Sequence, residues 1–351
     1  MRIAIVNDMR TAVEALRRVL LSVPNFQLAW VADDGEEAVK KCREDPPDLV
    51  LMDLYMPVMD GVEATRRIMA QKPCPILIVT ASVEGHSSKV FHALGAGALD
   101  AVKTPILGAG GQAEGGSELR FKIETVGRMI SAGQRPDPAA GAGSGPQPLS
   151  TAADKLVVIG ASAGGPTALA TILACLPRTL GAAVVIVQHI DFQFAASMVE
   201  WLGTSSALPV HVINEGDSLR DGVALVAATN HHLILRESRT LGYTPEPRNS
   251  YYKPSVDVFF ESVCRHWDGE VVAALLTGMG RDGAIGLKAL RTAGAYTIAQ
   301  DRASSVVYGM PKAAAELDAA LEILPLEQIA PRLTEVVTKR SQRARNKQWR
   351  T

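Results

Sequence analysis

Short apolar runs alternate with amphipathic stretches along most of this chain. In the first third, Ile3-Val6, Gln27-Val31, Leu49-Met52, Ile76-Val79 and Leu99-Val102 have the length and the aliphatic, β-branched content of strands. Between them apolar positions recur at helical spacing, as from Thr11 to Leu21. Five strands interleaved with helices predict a parallel sheet covered on both faces, the doubly wound α/β arrangement. The second half repeats the alternation with heavier strands. Leu156-Ile159, Ala183-Val187 and Val271-Leu276 are continuous apolar runs, which suit central parallel strands buried on both faces. Val223-Val226 followed by Leu233-Leu235 reads as a hairpin, an antiparallel addition to the second sheet.

One segment breaks this pattern. Residues 131–153, SAGQRPDPAAGAGSGPQPLSTAA, are mostly proline, glycine, serine and alanine, with hardly a large apolar side chain, as in a flexible, partly extended linker. A glycine-rich stretch, Gly108 to Gly116, reads as a loop before a last helix over about Glu118 to Ile130. The expected layout is one domain over 1–130, the linker over 131–153 and a second domain over 154–338. Residues 339–351 form a basic tail expected to fray. A chain of 351 residues suits two domains of ordinary size.

Composition narrows the function classes. A formal net charge of -1 gives no global field for nucleic acid or a membrane surface. Cys42, Cys74, Cys175 and Cys264 are too far apart for a zinc cluster or a CxxC pair, and read as free thiols of a reducing cytosol. The longest apolar runs are strand-sized, well short of the roughly 20 residues that span a bilayer. The start of the chain lacks the apolar core and small-residue cleavage site of a leader. A cytoplasmic protein with no direct membrane insertion is expected.

In an open parallel sheet, reactive groups gather at the carboxyl ends of the strands. In the first domain Asn7 and Asp8 follow strand one, Asp53 follows strand three and Thr80 ends strand four. Two carboxylates beside an amide make a hard-oxygen site for one Mg2+ ion. Asp53 could then act as nucleophile toward a phosphoryl group, with Thr80 holding one of its oxygens. A single Asp after a strand is more often a turn or helix-capping residue. The ordered set favours a phosphoacceptor.

In the second domain Gly160-Ala161-Ser162-Ala163-Gly164-Gly165-Pro166 follows a buried strand and precedes a helical run, Thr167 to Leu176. The glycines do not fit a dinucleotide loop, and no Lys-Ser/Thr pair marks a phosphate loop. Two readings remain: a capping serine, or a nucleophile on a sharp strand-to-helix turn. His189, at the end of the next buried strand, breaks the tie, because a histidine at the neighbouring strand end is the expected general base. Asp282, after Leu275-Leu276-Thr277-Gly278-Met279-Gly280-Arg281, would orient the imidazole. Backbone N–H groups near Ala163 and at Met279 are candidates for an oxyanion hole. The order Ser, His, Asp differs from that of the α/β-hydrolases.

The stretches IVND, LVLMDLYMPVMDGVEATRRI, ILIVTAS and GALDAVKTP resemble a response-regulator receiver domain. VVIGASAGGPTAL, VVIVQHI, YYKPSVDVFF, ALLTGMGRDGAIGL and SSVVYGMPKAA resemble the catalytic domain of the chemotaxis protein-glutamate methylesterases, the CheB family. Together the resemblances cover nearly the whole chain. They imply phosphotransfer to Asp53 from a sensor histidine kinase, with Mg2+ held by Asp8 and Asp53. They also imply a serine esterase without a cofactor, using Ser162, His189 and Asp282. It would remove methyl esters from glutamates of chemoreceptor cytoplasmic domains, and some members of the family also deamidate glutamines there.

Five departures stand out. Asn7 replaces an acid. The family's Lys-Pro pair, whose lysine meets the phosphoryl group, here reads Lys103-Thr104-Pro105, so Lys103 is the candidate but stands one place early, which on a strand means the other face. The aromatic relay position on that strand holds Ala101 or Asp100. Ala163 replaces a threonine, and Ile190-Asp191-Phe192 replaces Met-Pro after the histidine. The VND start and missing Lys-Pro resemble a branch of the family that serves a surface-sensing pathway. Two alternatives remain: a receptor-binding regulatory module with weak or no catalysis, and a hydrolase of small esters.

Overall fold

Ile3, Ala4, Ile5 and Val6 are wholly buried, as the apolar run predicts for a central strand. The protein is described by a computed structural model that covers residues 1–80, 88–107, 113–131 and 153–348. Two compact units divide the chain, Met1–Ala139 and Ala140–Thr351. The expected linker lies outside the described residues apart from its two ends.

The first unit runs β1 (Arg2–Val6), α1 (Arg10–Leu21), β2 (Gln27–Ala32), α2 (Gly35–Glu44), β3 (Leu49–Met52), α3 (Gly61–Gln71), β4 (Ile76–Thr80), α4 (Ser88–Gly95), β5 (Asp100–Lys103), β6 (Ile106–Leu107), β7 (Ala113–Glu114) and α5 (Gly116–Ser131). Its sheet has the order β2-β1-β3-β4-β5, all parallel. The five predicted strands are present, each within a residue or so. Of the glycine-rich stretch, residues 108–112 lie outside the described residues, and β6 and β7 on either side of them pair antiparallel. The MPVMDG turn has a steric cause. A Cβ on Gly61 would stand 1.9 Å from the Asp53 carbonyl oxygen, so only glycine lets α3 start this close to β3. Asp60 caps that helix by accepting from the Glu63 N–H at 3.0 Å.

The second unit continues with β8 (Lys155–Ala161), α6 (Gly165–Cys175), β9 (Ala183–Gln188), α7 (Phe192–Ser205), β10 (Val210–Val212), β11 (Ala224–Val226), β12 (His232–Leu235), β13 (Leu241–Thr244), α8 (Val256–His266), β14 (Glu270–Leu275), α9 (Ala284–Thr292), β15 (Tyr296–Gln300), α10 (Met310–Glu316), β16 (Glu322–Leu324) and α11 (Leu326–Gln348). Seven strands form a sheet of order β10-β11-β9-β8-β14-β15-β16, parallel throughout. Val158, Val185 and Ala273 of its central strands are fully buried, as apolar runs on parallel strands require. The chain leaves β8 toward β9 on one side and returns to β14 on the other. The crevice at this switch point is where such sheets place their sites.

Two expectations are corrected. The hairpin is not β11 with β12. β11 pairs parallel with β9 and β10, while β12 pairs antiparallel with β13, as in His232 opposite Thr244. Ala224, Leu225 and Val226 are all buried, so a third apolar run enters the main sheet and leaves β12 to find the next strand. The basic stretch from residue 339 does not start as coil, because the helix α11 runs on to Gln348. Among the described residues no helix is long and apolar enough to cross a membrane.

Candidate functional site

Ser162 stands directly after β8, in the turn that starts α6. Gly164 caps that helix with φ 74°, a left-handed conformation that favours glycine. A Cβ on Gly165 would stand 2.1 Å from Gln188 Oε1 and 2.9 Å from Ala161 Cβ, so glycine lets the turn pack closely against the end of β9. The Gly165 N–H closes the turn on the Ser162 carbonyl at 2.7 Å, and the Ser162 N–H donates to the Thr277 carbonyl at 3.0 Å. The Gln188 amide donates to the carbonyls of Ser162 (2.8 Å) and His189 (3.1 Å). The His189 N–H in turn donates to the Ala161 carbonyl at 3.0 Å. The serine turn and the histidine are thus held together through the backbone.

Asp282 follows β14 and reaches the same edge. Its Oδ2 lies 2.8 Å from His189 Nε2. The other ring nitrogen, Nδ1, is buried with no hydrogen-bond partner among the described residues. Asp282 also accepts from Ser255 Oγ (2.7 Å) and from the backbone N–H groups of Val256 (2.6 Å) and Asp257 (3.2 Å). The start of α8 therefore points its free N–H groups at this carboxylate. Burial alone would raise the Asp282 pKa, but the bonds from His189, Ser255 and Val256 outweigh it and hold the group below the usual carboxylate range. Tyr252 stacks on His189 with ring centroids 4.4 Å apart and planes 10° from parallel. The ring is held on one edge by Asp282 and over one face by Tyr252.

Across the serine turn lies Thr277-Gly278-Met279-Gly280. A Cβ on Gly278 would stand 2.7 Å from Ser162 Cβ, so the two turns are in contact. The Thr277 hydroxyl donates to the Ala163 carbonyl at 2.9 Å and accepts from the Val307 N–H at 2.8 Å. Among the described residues nothing accepts from the N–H of Ala163 or of Met279, both buried. Ser162, His189, Asp282, Ala163 and Met279 are thus brought to one crevice. Gln188, Tyr252, Ser255 and Thr277 were not singled out from the sequence. A signal existed for two of them, since Gln188 and Thr277 are polar residues closing apolar strands.

In the first unit, Asp53 is buried at the end of β3 and Asn7 at the end of β1. Asn7 Nδ2 donates to Asp53 Oδ2 at 2.9 Å, and Asn7 Oδ1 accepts the Met9 N–H at 2.8 Å, so the amide turns no oxygen toward Asp53. Asp8 is exposed beside them. Burial pushes the Asp53 carboxyl up to about 6; the Leu54 and Tyr55 N–H groups lower it, and the Asp8 charge adds to the rise. Thr80 is buried at the end of β4. Lys103 is exposed, and the parallel register aligns it with Thr80 at the end of the neighbouring strand. The relay question also resolves: Ala101 shares the Thr80 face, while Asp100 faces α5 and pairs with Lys122 at 3.1 Å.

Comparisons with known proteins agree with both halves. Residues 3–108 match the response regulator receiver domain, and residues 157–333 match the CheB methylesterase family. A protein-glutamate methylesterase/protein-glutamine glutaminase of Pseudomonas fluorescens is 56% identical over 343 residues, 97% of this chain and 100% of that protein. A Pseudomonas aeruginosa protein of the same description is 56% identical over 336 residues, 96% of this chain and 99% of that protein. The solved Thermotoga maritima CheB methylesterase catalytic domain superposes with a TM-score of 0.50 at 32% identity, covering 52% of this chain and 98% of that one. With the serine turn, its histidine and its aspartate in one crevice and relatives matched end to end, the chain belongs to the CheB methylesterase family.

Proposed function

We propose that this protein is a phosphorylation-controlled protein-glutamate methylesterase, acting on methylated chemoreceptor cytoplasmic domains. The observation that carries the reading is His189, held by Asp282 on Nε2 at 2.8 Å while Nδ1 is buried without a partner among the described residues, at the end of the strand that pairs with the one leading into Ser162. Nδ1 takes the Ser162 proton as the hydroxyl oxygen attacks the ester carbonyl, and Asp282 stabilises the imidazolium that forms. The Ala163 and Met279 N–H groups, without an acceptor among the described residues, receive the oxyanion. The C–O bond to methoxide breaks, and the imidazolium protonates it to methanol. Water, deprotonated by His189, then hydrolyses the glutamyl-serine and returns glutamate. The same steps on a glutamine amide release ammonia, as the relatives' description suggests. No cofactor enters this chemistry.

The first unit is read as the control element, with Asp53 phosphorylated by a sensor histidine kinase. The donor set suits Mg2+: Asp8 and Asp53 are two hard carboxylates at one sheet edge, and the Asp8 charge adds to the rise that burial gives the Asp53 pKa. Mg2+ bound there would offset the charge of the incoming phosphoryl oxygens. We assign the receiver to 1–130, the linker to 131–153 and the esterase to 154–338, with a cytoplasmic location. Methanol release from methylated receptor tests the esterase. Ser162→Ala should lose on the order of 10^3-fold or more of the rate, and release equal to that of the natural protein would sink the reading.

A further inference from the structure

Aromatic rings carry large apolar areas and are costly to leave in water. Among the described residues only two are exposed, Phe192 at 47% and Tyr251 at 65%. Both stand beside the histidine of the esterase site. Phe192 is three residues beyond His189, a span of about 11 Å at most. Tyr251 meets Tyr252 edge-on with ring centroids 5.4 Å apart, and Tyr252 lies 4.4 Å from the His189 ring. Each exposed ring is thus within about one helix diameter of the base.

Both rings sit on anchored backbone. His232 grips the segment around Tyr251 on either side, with Nε2 3.2 Å from the Pro247 carbonyl and Nδ1 accepting the Ser255 N–H at 3.1 Å. Between them the Ser250 hydroxyl donates to the Tyr252 carbonyl at 3.0 Å. A Cβ on Gly280 would stand 2.1 Å from the Tyr252 hydroxyl, so Tyr252 is wedged between His189 and the Met279-Gly280 turn. Phe192 opens α7, where Asp191 Oδ1 accepts the Gln193 N–H at 2.9 Å and Asn230 Oδ1 accepts the Phe192 N–H at 3.4 Å. Aromatic side chains on fixed backbone lose little conformational freedom on binding, which is why they serve as anchors in interfaces.

We propose that Phe192 and Tyr251 are the anchors that seat the substrate helix, each covering an apolar side chain about one turn from the esterified glutamate. This rests on the reading of the second unit as a receptor methylesterase. A helix that brings one side chain to Ser162 spreads about 10–12 Å across, so its neighbours at three and four residues come to lie over surface at this distance from the base. Phe192 also belongs to the Ile190-Asp191-Phe192 stretch, where this sequence departs from the family. The rings select the receptor, and the buried residues behind them carry the chemistry.

The test measures binding of a methylated receptor cytoplasmic fragment to the full-length protein by calorimetry, in a Ser162→Ala background so that the ester is not consumed. Phe192→Ala and Tyr251→Ala should each weaken binding about 10-fold. Tyr251→Phe keeps the ring and should keep the affinity. Ile323→Ala removes an equally exposed apolar side chain on β16, 47% exposed, and should change nothing. With Ser162 restored, the two alanine variants should raise KM by a similar factor and hold kcat within about twofold. Natural affinity in either alanine variant, or equal weakening in Ile323→Ala, would overturn the proposal. So would a fall in kcat at natural KM, which would put the rings in the catalytic geometry. A faster rate without phosphodonor would give the rings another occupant, the first unit, and would overturn it too. Methanol release by Ser162→Ala would sink the esterase reading and leave the binding result standing.

Discussion

Asp282 collects four donors, His189 Nε2, Ser255 Oγ and the N–H groups of Val256 and Asp257. A carboxylate this well satisfied orients its histidine rigidly and stays charged at low pH. Asp282→Asn keeps the shape but offers an amide where His189 needs an acceptor, and it removes the charge that balances the imidazolium. The rate of methanol release should fall on the order of 10^3- to 10^4-fold, with receptor binding little changed. A loss under tenfold in single-turnover assays would show that Asp282 does not orient the base. Ser162, His189 and Asp282 were legible because each ends or follows an apolar run, where side chains meet the sheet edge. Ser255 and Tyr252 were not, since their roles depend on a segment that returns from β13 to the start of α8.

That segment is anchored at the level of elements. His232, fully buried on β12, accepts the Ser255 N–H on Nδ1 at 3.1 Å and lies 3.2 Å from the Pro247 carbonyl through Nε2. These contacts fix one neutral tautomer, with the proton on Nε2. Burial lowers its pKa below the usual 6.5; the Pro247 carbonyl and Asp282 oppose this, while Lys253 and His231 add to it. The sign follows: the folded state disfavours the imidazolium, so this contribution to stability is present above about pH 6.5 and is lost as pH falls through the lower folded value. Urea midpoints should drop from pH 7 to pH 5, and drop less in His232→Asn, whatever that variant's stability at pH 7. An identical pH dependence in both would remove His232 from the account. The β11–β12 hairpin was misread at this scale for a related reason. A short apolar run does not say whether its neighbour is the next strand or one already in the sheet.

For the molecule as a whole, every group of the proposed esterase belongs to the second unit, which has its own core. Removing residues 1–152 should leave methyl-ester hydrolysis intact and make it indifferent to acetyl phosphate and Mg2+. In the full chain the donor should change the rate, and Asp53→Asn should abolish that response while keeping the basal rate. A donor response that survives in Asp53→Asn would place the switch elsewhere. By itself the sequence determined two parallel-sheet units, the strand ends that carry Asp53, Ser162 and His189, and the family, because alternation and small-residue turns are local patterns. Only the tertiary structure decided which neighbours those residues meet. It set Tyr252 over His189, gave Asp282 the amino end of α8, put the Asn7 amide on Asp53 and left Lys103 exposed. Such contacts join residues distant in the chain, and strand register, which no local pattern records, chooses among them.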